Sequence, residues 1–316
     1  MKYQHIARYV AETLWAIQPS KMAELLSVLA YRAAGHEFTA EEIAARIGPD
    51  RPASSGKLLG GGAAIIPIRG VIAHRISGME ESSGGTSAEQ IGALVDQVAA
   101  DPGIGTVVFD IDSPGGTVPG IQELAGKIFE TRGRGTQRFI AQVNDMACSA
   151  AYWLASQCDE IVCLPSGTAG SIGVFSAHQD LSAALEKEGI KVTLISAGKF
   201  KVAGNPFEPL SDEERAVIQA RVDAAYGQFV KDVARGRGVS PAEVRSGYGE
   251  GRALRAKDAK AAGLIDRIDT MDATLGRLVG RTRAGGLKAT LEDPTLGQAD
   301  GDDGRDDERA RRRRLL

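Results

Sequence analysis

Histidine is scarce in this chain: His5, His36, His74 and His178 are all there is in 316 residues. His5 and His36 fall in an N-terminal helical stretch and His74 follows a strand. His178, beside Phe175-Ser176-Ala177, reads as surface decoration. A Ser-His-Asp arrangement therefore draws little support. Cysteine is scarcer still. Cys148, Cys158 and Cys163 are too few and too unevenly spaced for a disulfide framework or a zinc site. Their small and apolar neighbours suit cysteines that act as small core residues, and Cys148 has no histidine placed to activate it. There is no apolar run of about 18 residues, and hence no transmembrane candidate. Met1 to Val10 is polar and lacks the apolar segment of a secretory signal. A net charge of −3 gives the body of the protein no electrostatic case for nucleic acid or membrane. These shortages lead to an expectation of a cytoplasmic protein without metal or cofactor. The 43% hydrophobic and 25% charged content fits an ordinary globular chain.

What is present is alternation. After an N-terminal unit (1–50), a Pro-, Ser- and Gly-rich stretch at 51–62 reads as a linker. In the N-terminal unit Leu14 to Pro19 reads as an extended or turn segment. Ser20 then caps a helix carrying Met22, Leu25, Leu26 and Leu29, and Thr39 with Glu42 forms a capping box for a second helix. This pair is expected to be a docking or assembly element outside the core. From Ala63 onward short apolar runs alternate with helical patterns. The strand candidates are Ala64–Ile68 (with Gly70–Ile72), Thr106–Ile111, Phe139–Val143, Glu160–Leu164 and Lys191–Ile195. Helices are expected at Ser87–Val98, Ile121–Phe129, Leu181–Glu188 and, behind the capping box Ser211/Glu214, through Val233. Such alternation argues for βαβ units around a mostly parallel sheet, an α/β fold. Residues 77–87 read as a patternless polar loop. From about residue 283 a mixed-charge tail, acidic and then Arg-rich, is expected to be disordered.

Ligands bind at the carboxyl ends of strands in open α/β sheets, and three such ends here carry small-residue loops. Asp112-Ser113-Pro114-Gly115-Gly116 offers two consecutive glycines entering a helix, whose unhindered backbone N–H groups can serve as oxyanion donors. It lacks the spacing of a phosphate loop, and a plain tight turn is the bland alternative. Asp145 to Trp153 places Ser149 where a strand gives way to a helix. There a nucleophile gains from free N–H groups and from the helix dipole, although an N-cap is the commoner job for such a serine. Without a histidine, the base can be a lysine, since burial disfavours an ammonium. Lys201 suits that role, flanked by Phe200 and Val202 and bracketed by Gly198 and Gly204. Lys199 is its competitor.

These motifs together resemble the signal peptide peptidase A family of serine proteases. The resemblance rests on Asp112–Gly116, Ala147–Tyr152, Gly170-Ser171-Ile172-Gly173-Val174, Gly198-Lys199-Phe200-Lys201, Gly251-Arg252 and Ala262–Asp266. Their order and spacing agree over roughly residues 63–270. That family is similar in fold to the Clp protease proteolytic subunit and the crotonases. The resemblance thus implies a ββα-superhelix domain over 63–282, with an N-terminal helical extension and a disordered tail. It also implies a Ser–Lys dyad. Ser149 would be the nucleophile and Lys201, 52 positions later, the general base. Gly116 and Ala150, with Gly115, would supply oxyanion donors, and Gly170, Ser171 and Gly173 would shape the site, Ser171 bonding the lysine. The family's Ser-Gly-Gly-Tyr appears here as Ser149-Ala150-Ala151-Tyr152, which bears on clearance for substrate. The flanking segments, Trp15-Ala16-Ile17 included, look like those of phage and prophage members, which process capsid or scaffold proteins in host cytoplasm. A homo-oligomer acting on protein or peptide substrates follows from the resemblance. Other readings are a general peptidase of the same family, a crotonase-like acyl-CoA enzyme, and a catalytically silent assembly protein.

Overall fold

Uninterrupted apolar runs become the inner strands of one parallel sheet. The computed structural model describes residues 13–33, 57–59, 62–76, 85–134 and 137–284. In chain order it contains β1 (Trp15–Ile17), α1 (Pro19–Ala33), β2 (Lys57–Leu59), β3 (Ala63–Ala73), β4 (Thr86–Ser87) and α2 (Ala88–Ala100). Next come β5 (Thr106–Thr117), α3 (Ile121–Gly133), β6 (Arg138–Cys148), α4 (Ala150–Ala155), β7 (Glu160–Cys163) and β8 (Thr168–Gly170). The remainder is α5 (Ser182–Lys187), α6 (Asp212–Arg237), α7 (Pro241–Gly247), β9 (Ala253–Arg255), α8 (Ala256–Ala261), β10 (Arg267–Ile268) and α9 (Met271–Ala284).

The sheet runs in the order β10-β7-β6-β5-β3-β2, with every pair parallel except β2 on β3. This is the α/β architecture expected from the alternation. Val107, Phe109, Ile111, Phe139, Ala141 and Val143 are buried at its centre, as parallel strands covered on both faces require. Two strands run long. β5 and β6 continue past their apolar runs, and β6 stops only at Cys148. The chain then turns at Ser149 into α4.

Several expectations meet a different structure. Lys191–Ile195 is not a strand, and Ile195 is 96% exposed. Its alternation of apolar and polar residues mimics a half-buried strand, but no neighbouring strand among the described residues pairs with it. Trp15–Ile17, in the segment expected to be extended or a turn, is a strand that joins the core, unlike an N-terminal unit merely appended to it. All three residues are buried, and β1 pairs antiparallel with the end of β5. Lys57–Leu59, inside the expected linker, forms an edge strand on β3. The glycines of the 112–116 motif lie in the last residues of β5 rather than at a helix start, since α3 begins only at Ile121. The second N-terminal helix at Thr39–Gly48, most of the 77–87 loop and the tail beyond residue 284 lie outside the described residues.

Candidate active site

Ser149 follows β6 directly and takes φ 55°, ψ −118°. That backbone is rarely adopted by a residue with a side chain, and it persists only where the surroundings impose it. Here they do. Ser149 N donates to Gly170 O at 2.7 Å, on the strand β8 that pairs with β6. Behind Ser149 the small and then aromatic run of α4 is locked in place. Trp153 stacks on Phe229 of α6 with centroids 4.3 Å apart, and its Nε1 donates to Asp232. Tyr152 Oη donates to Leu264 O at 2.8 Å. Although Ser149 occupies the N-cap position of α4, its side chain makes no capping bond. Its hydroxyl donates instead to Gly173 O at 3.3 Å. The commonest structural use of a serine at this place is therefore not made.

Gly115 and Gly116 lie next to Ser149 because β5 and β6 are neighbours, with Ser113 opposite Ala147. A methyl on Gly116 would fall 1.7 Å from Ile72 O, so only glycine lets β3 come this close. Gly115 takes φ 103°, and a methyl there would sit 2.2 Å from Ala16 O and 3.0 Å from Ser149 Cβ. Its own N–H donates to Ser113 Oγ at 3.2 Å. Ala150, first residue of α4, has an N–H with no acceptor inside the helix by geometry. Its methyl and that of Ala151 pack in the apolar core. The opposite wall is Gly170 to Gly173, where Gly170 takes φ 111° and Ser171 φ 55°. Ser171 is buried, and its N–H donates to Arg252 O. This joins the 170–174 motif to Gly251-Arg252, two motifs far apart in the sequence.

Cys148, adjacent to the nucleophile candidate, is disqualified by its surroundings. Burial pushes its thiol up to about 12, against weaker opposing hydrogen bonds from Thr168 and Gln18, so the thiolate is not available near neutral pH. His178 bonds Asn205 O through Nε2 at 3.0 Å, away from Ser149. The lysines are a different matter. Lys199 pairs with Glu213 and lies over the Phe200 ring. Lys201 has no ion-pair partner among the described residues; it is exposed, in a turn where its N–H donates to Gly198 O. Ser149 is 1% exposed and no hydrogen bond joins it to Lys201. One chain brings together Ser149, Gly115, Gly116, Ala150, Gly170, Ser171 and Gly173, and Lys201 makes no hydrogen bond to any of them among the described residues. Sequence reasoning also missed that β1 lies along the same site. The only hint was a tryptophan and an isoleucine bracketing a small residue.

Residues 134–282, which include Ser149, Gly170–Gly173 and Lys201, match the family described as "Peptidase family S49". The chain is 33% identical over 293 residues to "Capsid assembly protease C" of Escherichia phage lambda, covering 87% of this chain and 65% of that protein. It is 37% identical over 221 residues to "Head-tail preconnector protein GP5" of Enterobacteria phage P21, covering 70% of this chain and 43% of that one. It thus spans less than two thirds of either relative. A point mutant of ClpP1 from Listeria monocytogenes is similar at TM-score 0.41 and 15% identity, over 67% of this chain and 94% of that chain. No helix among the described residues is long and apolar enough to cross a membrane. The family match thus falls on the stretch built around Ser149, residues 134–282, a little under half of the chain.

Proposed function

We propose that the protein is a serine endopeptidase with a Ser–Lys dyad, its peptidase unit spanning residues 63–282. Ser149 is the nucleophile. Lys201 is the general base, delivered to Ser149 of one copy by a neighbouring copy in a homo-oligomer. The observation that carries this reading is the state of Ser149. It is held at positive φ, uncapped, beside two glycines that backbone approach alone makes obligatory. The exposed position of Lys201 supports delivery between copies. So do the exposed apolar side chains around it, Ile195, Phe200 and Phe207, which call for a cover.

In the reaction the neutral amine of Lys201 takes the Ser149 proton as Oγ attacks a peptide carbonyl carbon. The N–H groups of Gly116 and Ala150 hold the resulting oxyanion. Gly115, whose N–H is already engaged by Ser113, contributes clearance. Lys201 returns the proton to the leaving amine, and water then releases the acyl-enzyme. Gly170 to Gly173 form the wall of the site, with Ser171 orienting the lysine. The names of the two phage relatives support capsid or scaffold proteins as substrates, in host cytoplasm.

The test is covalent labelling by a fluorophosphonate with mass mapping, alongside casein cleavage. The modified residue is expected to be Ser149. Ser149→Ala should lose both labelling and cleavage, and Lys201→Ala should lose cleavage. Full activity in Ser149→Ala, or loss in Lys199→Ala with Lys201→Ala intact, would overturn the assignment.

A further inference from the structure

The segment from Leu14 to Gln18 crosses the site as an extended strand bonded on both edges. On one edge Val118 N donates to Leu14 O and Gln18 N donates to Pro114 O, each at 3.0 Å. Hydrogen-bonded pairs recur at every second residue of an antiparallel ladder. The intervening pair, Ala16 with Gly116, is therefore the one whose backbone groups face each other, with Ala16 O opposite Gly116 N. On the other edge Trp15 N donates to Phe175 O at 2.9 Å and Phe175 N to Trp15 O at 3.0 Å. The strand thus fills a slot between the end of β5 and the segment that follows Gly173.

The slot's place relative to the nucleophile is fixed by Gly115. The point that its missing side chain leaves open lies 2.2 Å from Ala16 O and 3.0 Å from Ser149 Cβ. The carbonyl of Ala16 and the carbon bearing the nucleophilic hydroxyl thus share one small space. Farther along, Gln18 Nε2 donates to Cys148 Sγ, the residue before Ser149, at 3.1 Å. An extended peptide whose carbonyl is to be attacked by Ser149 and held by Gly116 N needs the same two edges and the same carbonyl position.

We infer that Leu14–Gln18 is an internal occupant of the substrate groove, with Ala16 standing where the residue before the cleaved bond would stand. This deepens the peptidase reading and rests on it. It assigns the substrate as an extended chain added as a strand between β5 and Phe175. The residue at the attacked carbonyl, Ala16, is small and fully buried, and an apolar aromatic side chain, Trp15, precedes it. It also means that substrate must displace the chain's own strand. A competitor is weakened by the fraction of molecules in which the slot is filled.

The experiment measures anisotropy of a fluorescein-tagged peptide Thr-Leu-Trp-Ala-Ile-Gln against the full chain in a Ser149→Ala background. With Ile17→Asp, which places a carboxylate at a buried site and releases the strand, binding should tighten at least about tenfold. Equal or weaker binding by a variant whose circular dichroism is native overturns the inference. Should Ile17→Asp not fold, backbone hydrogen exchange of the Ser149→Ala chain decides. Saturating peptide should speed exchange at residues 14–18, and unchanged protection overturns the inference. Failure of the peptidase reading shows separately, as absence of fluorophosphonate on Ser149, and leaves the binding measurement unaffected.

Discussion

Two adjacent residues at the end of β6 carry opposite chemistry, and the difference comes from where their side chains go. Cys148 points among Thr168, Gln18 and buried backbone, and its thiol stays protonated far above neutral pH. Ser149 turns the other way, beside Gly115 and Gly173. Iodoacetamide at pH 8 should therefore leave Cys148 unmodified in the folded protein while a fluorophosphonate takes Ser149. Peptide mapping by mass spectrometry reads both at once, and alkylated Cys148 in native protein would contradict the burial argument. Gly116 gives a second residue-scale prediction. A methyl there meets the Ile72 carbonyl at 1.7 Å, a backbone atom that cannot rotate aside, so β5 must shift and carry its N–H off target. Gly116→Ala should cut kcat by roughly 10²- to 10³-fold, the cost of one misplaced oxyanion donor. Near-normal turnover by a folded Gly116→Ala enzyme would remove this N–H from the mechanism.

Elements hold the site by a few long-range ties. Arg237 at the end of α6 donates to both carboxylate oxygens of Asp266 and to Gly263 O, while Asp266 also accepts from Ile161 N of β7. Burial pulls the Asp266 carboxyl up, but the Arg237 bonds and charge and the Ile161 N–H outweigh it and hold the group below the usual carboxylate range. A lowered folded-state pKa contributes stability above the unfolded value, and that contribution fades as pH falls through the folded one. The Asp266 side chain is 38% exposed, so solvent screens part of the attraction. Asp266→Asn should thus lose about 1 kcal/mol at pH 7, near 3 °C in melting temperature. The gap to the unaltered protein should close under acid, and thermal melts at pH 7 and pH 3 check it. Much of this was legible in the sequence, because Gly251-Arg252 and Ala262 to Asp266 stand out as a closing motif through the family resemblance. The parallel strands were legible as well, as apolar runs too long to be anything half-exposed. Lys191–Ile195 was misread because alternation marks a strand only if a partner edge exists. β1 was read as extended, but its pairing and burial were missed, because three residues carry no periodicity and their burial depends on glycines about 100 positions away.

At the scale of the whole molecule the tension is between a buried Ser149, the proposed nucleophile, and an exposed Lys201, the proposed base. Ser149 is enclosed by β6, β8 and the glycines of β5, whereas Lys201 sits on an exposed stretch with Ile195, Phe200 and Phe207 outward. On the proposed dyad, a single chain so arranged has the nucleophile without its proton acceptor, and apolar surface without a cover. On the proposed reading, association of copies would answer both needs through one interface, since the same stretch that buries its apolar side chains would bring its lysine along. Mixing two inactive variants then measures what neither provides alone. Ser149→Ala chains retain Lys201, and Lys201→Ala chains retain Ser149. Each alone should be inactive. Mixed, unfolded and refolded together, they should recover part of the wild-type cleavage rate, because some interfaces then pair an intact serine with an intact lysine from the other chain. Fluorophosphonate reactivity of the Lys201→Ala chain should rise in the same mixtures. Dilution should lower the specific activity of the wild-type protein as subunits separate, with the loss tracking the sedimentation coefficient. Mixtures that stay inactive while the unaltered protein, carried through the same refolding, regains activity would place both dyad members in one chain. The stretch from Ile195 to Phe207 would then have to close onto its own Ser149.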